Sequence, residues 1–266
     1  MKDIKKFIDS VDLDTVVDGT EPRLDDESHF RNHMVRGYKK LLSLKDKYKG
    51  RKGLVMGHGP TVLDIKKKDY NSHVKITCND FHKIEGFFEH FKPDVWCAAN
   101  SYEALKDPFT ICIEQDIDVV VSVPRKREFL ELLSIAEKKN KMELVHPWQW
   151  EHRIFQHMLA EKYGIQQTYS RCNTVTNHMI ALALWVGCSD IDVTGFDLSY
   201  KKALEITGRT HAGHNGLISS LDAFDDPQQR SQIMRDLGYL CLLAKSQNIH
   251  VNNLSHKVNG LPKLLS

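Results

Sequence analysis

The chain has 266 residues, of which 41% are hydrophobic, so it is long enough to bury one large core, or less readily two small ones. Its 37 basic and 35 acidic residues leave a formal charge of +2, which excludes the strong overall field typical of nucleic-acid-binding proteins. The N-terminus lacks an apolar signal core, and no apolar segment approaches the roughly 20 residues that cross a bilayer, so we expect a cytoplasmic protein without a transmembrane segment.

The first 50 residues predict an N-terminal helical region that packs on the core. An acidic, turn-rich stretch comes first, and a helix is expected from about His29 to Tyr48. The basic, glycine-containing segment 49–53 then ends this helix. Residues 51–266 are predicted to form the main domain.

From residue 53 onward, short apolar runs alternate with amphipathic stretches, which is the pattern of strand and helix in an α/β protein. The predicted strands are residues 53–56, 74–78, 94–98, 119–123, 143–146, 191–194 and 250–253. The predicted helices are residues 61–67, 82–91, 101–107, 126–139, 151–163, 174–186 and 228–247. We expect a twisted, mostly parallel sheet flanked by helices, with a ligand crevice at the carboxyl ends of the strands. Residues 201–227 show no clear period and are predicted to form a lid-like loop.

A glycine-containing loop follows the first predicted strand. Gly57-His58-Gly59-Pro60 leads directly into a short helix, where glycines let the backbone approach a phosphate and the helix start offers free N–H groups. An ordinary tight strand-to-helix turn explains the pattern almost as well. The third glycine of a dinucleotide fingerprint and the Lys-Ser/Thr of a P-loop are both missing, which argues against these two ligand classes.

Two asparagines end the next two predicted strands. Asn79, followed by Asp80, and Asn100 lie at successive strand ends, where an amide could bond a base or a ribose. Either one alone is more simply a helix N-cap. The occurrence of both after the glycine loop favours ligand binding.

Two later segments carry further polar groups. Thr174-Val175-Thr176 precedes an apolar helix, and its hydroxyls either favour an anion or form a plain cap. Gly195-Phe196-Asp197 ends a strand and is followed by Tyr200, Arg209, His211 and His214. A histidine can act as a base near neutral pH, and a tyrosine or arginine can stabilise a departing phosphate.

In this order, these segments resemble the bacterial sialyltransferases of glycosyltransferase family 42. They also resemble the related DUF115 group, which includes flagellin glycosyltransferases and archaeal 6-hydroxymethylpterin diphosphokinases. Leu54–Leu63 is similar to the family's strand and Gly-Asn-Gly-Pro-Ser-Leu loop, with His58 and Thr61 in place of asparagine and serine. Other similarities are Cys78–Phe81 to a Cys-Asn-aromatic segment, Asn100 to a second nucleotide-contacting asparagine, Thr174–Thr176 to Thr-Ser-Gly, and Gly195–Asp197 to Gly-Ile-Asp. The resemblance extends over about residues 30–260, and Gly195–His211 is closest to the flagellin group.

The resemblance implies a Rossmann-like fold of the GT-A type. It also implies transfer of an acidic, sialic acid-like sugar from a CMP-activated donor to a hydroxyl of a glycan or protein, with inversion and without a metal or cofactor. The implied nucleotide-binding residues are Gly57, His58, Gly59, Pro60, Asn79, Asp80, Asn100, Thr174, Val175, Thr176, Gly195 and Asp197. The implied catalytic residues are His211 as the base, with His214 as an alternative, and Tyr200 and Arg209 at the leaving phosphate.

Two other functions remain open at this point. The first is transfer of diphosphate from ATP to a pterin, for which Asp80 and Asp197 would hold Mg²⁺. The second is a non-catalytic nucleotide-binding domain. The six cysteines stand singly with no CxxC pair, which argues against a zinc knuckle or a thioredoxin-like site. Homo-oligomer formation is also left open.

Overall fold

The computed structural model describes most of the chain from residue 39 onward. The described residues are 39–67, 69–84, 86–99, 102–123, 131–132, 134–136, 138, 144–147, 159–165, 174–198, 200–207, 227–256 and 261. No helix in these ranges is long and apolar enough to cross a membrane.

In the part of the chain that the structure describes, seven strands form one sheet, and every pairing in it is parallel. The strands are β1 (Gly53–Met56), β2 (Val74–Cys78), β3 (Val95–Ala99), β4 (Asp118–Val123), β5 (Leu144–Pro147), β6 (Asp190–Thr194) and β7 (His250–Asn253). Their order across the sheet is β5-β4-β3-β2-β1-β6-β7. All seven predicted strands are therefore confirmed, with bounds that differ by at most one residue. The parallel α/β class is confirmed as well, whereas the GT-A type stays a prediction.

The central strands form because their side chains are buried on both faces. In β1, Leu54, Val55 and Met56 are fully buried, and so are Val74 and Ile76 of β2. A parallel strand that helices cover on both sides has this continuous apolar composition rather than an alternating one.

Among the described residues, five α-helices with defined bounds and two 3₁₀ segments lie between these strands, and residues 39–43 and 159–163 are helical as well. The helices are α1 (Phe87–His90), α2 (Tyr102–Glu114), α3 (Val175–Trp185), α4 (Tyr200–Thr207) and α5 (Pro227–Ser246), and the 3₁₀ segments are Pro60–Lys67 and Phe81–Lys83. The predicted helix 82–91 is thus divided into a 3₁₀ segment and α1. The predicted end of α2 at residue 107 is wrong, because the helix continues through Pro108 and buries Phe109 and Cys112. The predicted helices 126–139 and 151–163 lie largely outside the described residues.

Two further predictions differ from the structure. The predicted lid 201–227 begins with α4 and ends at the start of α5, and residues 208–226 lie outside the described part. The predicted helix His29–Tyr48 is helical at residues 39–43, but residues 44–50 form turns. These turns bond to the end of α3, since the Asp46 N–H donates to Trp185 O over 3.1 Å and the Tyr48 N–H to Val186 O over 2.9 Å. The division into domains at residue 50 stays a prediction.

Helix α3 is the central helix of the fold and positions the site. Residues 176–185 are all buried, because α3 packs over β1, β2 and β3 on one side and against α5 on another. A helix that is apolar all round belongs in the interior of a protein. Its N-terminus lies near the carboxyl end of β1, because the Thr176 hydroxyl lies beside Gly57.

Candidate functional site at the carboxyl ends of β1, β2 and β6

The order in which strands are added to the sheet reverses at β1. Strands β2 to β5 extend the sheet on one side of β1, and β6 and β7 extend it on the other. Met56 pairs with Thr194, so the two strand ends stand side by side, followed by Gly57 and Gly195. In open α/β sheets, ligands bind outside the carboxyl ends of the strands at such a switch point.

The glycines at this point allow two loops to touch. The Gly57 N–H donates to Thr194 O over 2.8 Å and the Gly59 N–H to Gly195 O over 2.9 Å. A Cβ on Gly57 would lie closer than 3.0 Å to the Gly195 carbonyl oxygen, and a Cβ on Gly59 would lie 2.6 Å from Asp197 Cγ. Gly195 also has a φ of +67°, which favours glycine. Gly57, Gly59 and Gly195 thus have a structural reason for lacking a side chain.

A buried polar network joins the same loops. The Thr61 hydroxyl donates to Asp197 Oδ1, accepts the Gly195 N–H over 3.1 Å, and lies 2.6 Å from Ser255 Oγ. Ser255 Oγ in turn accepts the Phe196 N–H over 3.2 Å. Thr61, Asp197 and Ser255 are 4%, 6% and 0% exposed, so water competes little for these bonds. The network couples the ends of β1, β6 and β7.

Asp197 stabilises the start of the 3₁₀ segment Pro60–Lys67. Its Oδ2 accepts the Thr61 N–H over 3.2 Å. Burial raises the pKa of the Asp197 carboxyl, and the Thr61 and Ser255 hydroxyls act in the opposite direction. The expectation that the N–H groups of this loop are free for an anion is wrong for Gly57, Gly59 and Thr61, because each donates to a protein oxygen.

His58 and Asp80 face each other across the ends of β1 and β2. Their side chains are 6% and 18% exposed, and His58 Nδ1 lies 3.8 Å from Asp80 Oδ1. Lys83 Nζ lies 3.0 Å from Asp80 Oδ2. Burial would raise the pKa of the Asp80 carboxyl, but His58 and Lys83 lower it to about 2. The Asp80 carboxylate is therefore ionised at neutral pH.

Asn79 combines a left-handed backbone with a buried side-chain oxygen. Its φ is +46°, and its carbonyl oxygen accepts the Trp96 Nε1–H over 2.8 Å. Its Oδ1 is buried and has no hydrogen-bond partner among the described residues. A buried amide oxygen without a donor is costly in a folded protein, and such atoms often mark ligand contacts.

The N-terminus of α3 completes the edge. Thr174 is the N-cap residue, and its hydroxyl accepts the Asn177 N–H over 3.2 Å, so the capping alternative for Thr174 holds. Thr176 is buried, and its Oγ1 would lie 3.3 Å from a Cβ on Gly57. Val175 begins the helix between them. The structure therefore places Thr176, in the first turn of α3, beside the glycine loop.

The predicted catalytic group is described only in part. Tyr200 begins α4. Asn100, Arg209, His211 and His214 lie outside the described residues. Within the described ranges, no group of three or more His, Cys, Asp or Glu side chains is arranged to hold a metal ion.

Three features of the site were not predicted from the sequence. They are the hydroxyl contact between Thr61 and Ser255, the pairing of His58 with Asp80, and the carbonyl contact between the loops at Gly57 and Gly195. The partners come from different strand ends and lie far apart in the chain. The only available signal was the position of each residue directly after a predicted strand.

Solved structures similar to this chain include two sialyltransferases. One is the sialyltransferase CstII from Campylobacter jejuni in complex with cytidine-5′-monophosphate, at a TM-score of 0.47 and 17% identity over 82% of this chain and 88% of that chain. The other is the monofunctional α-2,3-sialyltransferase Cst-I from Campylobacter jejuni, at a TM-score of 0.48 and 14% identity over 77% of this chain and 76% of that chain. No family model matches the chain, and no curated protein matches it.

Proposed function

We propose that this protein is a glycosyltransferase that transfers an acidic, sialic acid-like sugar from a CMP-activated donor to an acceptor hydroxyl. One observation carries the proposal. The glycine loop, Asn79–Asp80, Thr174–Thr176 and Gly195–Asp197 converge on one edge of the sheet beside the switch point. These are the segments that, in the same order, resemble the sialyltransferases.

In this proposal, side chains rather than backbone N–H groups of the glycine loop hold the nucleotide. The Gly57, Gly59 and Thr61 N–H groups are engaged within the protein. Asn79 offers a buried amide to the base or ribose, and Asn100 is assigned to the same task from its strand-end position. Asp197 acts indirectly, because it holds the loop in place through Thr61.

The chemical step is assigned to residues after β6. His211 removes the proton of the acceptor hydroxyl, the acceptor oxygen bonds to the anomeric carbon, and the bond from that carbon to the CMP phosphate oxygen breaks. Tyr200 and Arg209 stabilise the departing phosphate. Attack opposite the leaving group inverts the anomeric centre, and this mechanism needs no metal.

The diphosphokinase alternative is less compatible with the site. It requires Asp80 and Asp197 to hold Mg²⁺ for ATP. Asp197 instead accepts two hydrogen bonds from Thr61, and Asp80 is paired with His58 and Lys83. Neither carboxylate is therefore available without loss of a protein contact.

A ligand panel tests the nucleotide class. Thermal unfolding with CMP, CDP, UDP, GDP, ATP and a pterin, each with and without Mg²⁺, should show the largest stabilisation with CMP and no effect of Mg²⁺. A stabilisation that appears only with ATP, pterin and Mg²⁺ would favour the diphosphokinase instead.

A transfer assay with His211→Ala tests the chemistry. Transfer from a CMP-sugar to a glycan acceptor should fall by at least about 10²-fold, while CMP binding stays within about twofold, because the base acts only in the chemical step. His214→Ala is the matched control and should retain transfer. Wild-type turnover in His211→Ala refutes the assignment of the base. CMP binding without turnover of any donor would instead indicate a non-catalytic module.

A further inference from the structure

His58 gives the glycine loop an ionisable side chain. It lies between β1 and the 3₁₀ segment Pro60–Lys67, and the residue is only 7% exposed. The sequences that this loop resembles carry a neutral asparagine at this place. A buried imidazole can change its charge near neutral pH, whereas an amide cannot.

A carboxylate faces this imidazole. Asp80 Oδ1 lies 3.8 Å from His58 Nδ1, and the Asp80 side chain is 18% exposed. An opposite charge at this distance favours the imidazolium form, whereas burial of the imidazole disfavours it, and the interaction between the two charges is stronger where the pair is shielded from water. Lys83 Nζ, which is 3.0 Å from the other Asp80 oxygen, shares this carboxylate with the imidazole.

The backbone around His58 leaves little for an anion to bind. The N–H groups of Gly57, Gly59 and Thr61 donate to protein oxygens, and Pro60 has no N–H. A phosphate that approaches the glycine loop therefore depends on side-chain charge. Among the described residues at this edge, the basic side chains within ion-pair distance of Asp80 are His58 and Lys83.

We propose that His58, oriented by Asp80, is the cation that the glycine loop presents to the nucleotide phosphate, so that nucleotide affinity depends on the charge of the imidazole. This inference rests on the proposed nucleotide-binding function. It adds that the loop recognises phosphate through a titratable side chain rather than through backbone donors.

Other ionisable groups face this position from the neighbouring elements. Asp80, His82 and Lys83 come from the segment after β2, and Asp197 comes from the end of β6, against Gly59. Asp64 stands on the 3₁₀ segment Pro60–Lys67 and interacts with Asp197. Among them, Asp80 is the group within ion-pair distance of the imidazole.

The sign of the pH effect follows from linkage. A phosphodiester that binds the imidazolium more tightly than the neutral imidazole loses affinity as pH rises through the titration of His58, by up to about tenfold per pH unit. The probe should be cytidine 5′-(methyl phosphate), because CMP itself has a phosphate pKa near 6 and would titrate in the same range. Cytidine, which has no phosphate, is the ligand control.

The experiment measures the dissociation constant of both ligands between about pH 5.5 and pH 8.5 for the wild-type protein and for His58→Asn. The wild-type affinity for the diester should fall at least about fivefold over this range, while His58→Asn and all cytidine data should stay flat. For Asp80→Asn, the affinity for the diester should fall at a lower pH than in the wild type, because the imidazolium has lost its partner charge.

The outcomes separate this inference from the proposed function. Equal pH dependence in wild type and His58→Asn overturns the role of His58, although cytidine nucleotide binding would still stand. If the wild type binds neither ligand at any pH, the proposed function and this inference both fail. His58→Gln, checked by thermal unfolding, replaces His58→Asn if the latter does not fold.

Discussion

The hydroxyl of Thr61 is predicted to be among the most important single atoms for the stability of this site. Thr61→Val keeps the shape of the side chain but removes three contacts, to Asp197 Oδ1, the Gly195 N–H and Ser255 Oγ. A buried N–H without an acceptor, here that of Gly195, costs about 1–3 kcal/mol, and a hydrogen bond to a charged group, here Asp197, contributes about 1.5–3 kcal/mol. Ser255 can turn its hydroxyl toward Asp197 and recover part of the loss. We therefore expect a net destabilisation of about 3–5 kcal/mol.

The matched control is Thr61→Ser, which keeps the hydroxyl and loses one buried methyl group, at a cost of about 1 kcal/mol. The free energy of unfolding of both variants should be measured by urea denaturation at neutral pH. Burial raises the pKa of Asp197 in the folded state, so stability falls as pH rises through this pKa, whereas the Thr61 hydroxyl lowers the pKa because it favours the carboxylate. Thr61→Val removes this hydroxyl and should raise the pKa of Asp197 further. Protonation of Asp197 then relieves the poorly paired buried charge, so the Thr61→Val deficit should shrink in mild acid.

A small difference between the two variants would refute this reasoning. If Thr61→Val and Thr61→Ser differ by less than about 1 kcal/mol at neutral pH, the network does not join the loops as described. The double variant Thr61→Val with Ser255→Ala gives a second measure. Its destabilisation should be smaller than the sum of the single effects, because both substitutions break the same 2.6 Å contact.

Three further predictions concern neighbouring elements. Burial raises the pKa of Asp80 and nearby cations lower it, to about 2 overall. The wild type should therefore lose about 1 kcal/mol of its free energy of unfolding as pH falls from about 4 toward 2. Acid titration of Asp80→Asn should lack this loss. Lys162→Met removes Nζ donation to two carbonyls at the end of α3, over 2.6 and 2.8 Å, and to Asp46 Oδ1 over 2.7 Å. It should cost about 1.5–3 kcal/mol by urea denaturation, whereas Lys245→Met at an exposed position should cost below about 0.5 kcal/mol. Equal effects would contradict the capping role of Lys162. Gly57→Ala places a Cβ against Gly195 O and should lower the melting temperature and weaken CMP binding, and an unchanged melting temperature would argue against the contact.

The local pattern of apolar residues was sufficient to predict the strands. Runs such as Gly53–Met56 and Val74–Cys78 are apolar, short and bounded by turn residues, and each lies in the sheet where it was predicted. Such strands depend mainly on burial of their own side chains. The glycines and asparagines that follow them could also be placed at the carboxyl edge, because parallel strands all end there.

The apolar pattern was insufficient to predict segments whose conformation depends on long-range contacts. Helix α4 has only eight residues, and within it Ala203 is buried while Ile206 is exposed, so no apolar period marks it. The pattern of residues 44–50 predicts the end of a helix, but the N–H groups of Asp46, Tyr48 and Gly50 bond to the carbonyls of residues 185–187 at the end of α3. Local propensity is a weak prior when tertiary hydrogen bonds are available.

The sequence by itself determined the parallel α/β sheet and the strand ends at which the candidate site lies. Only the tertiary structure decided what the site residues do there. Gly57 and Gly59 had been interpreted as an approach for phosphate, yet they admit the Gly195 carbonyl and the Asp197 carboxylate. The physical reason is that a glycine in the sequence indicates only that a side chain would not fit. The atom that occupies this space follows a strand more than a hundred residues away in the chain.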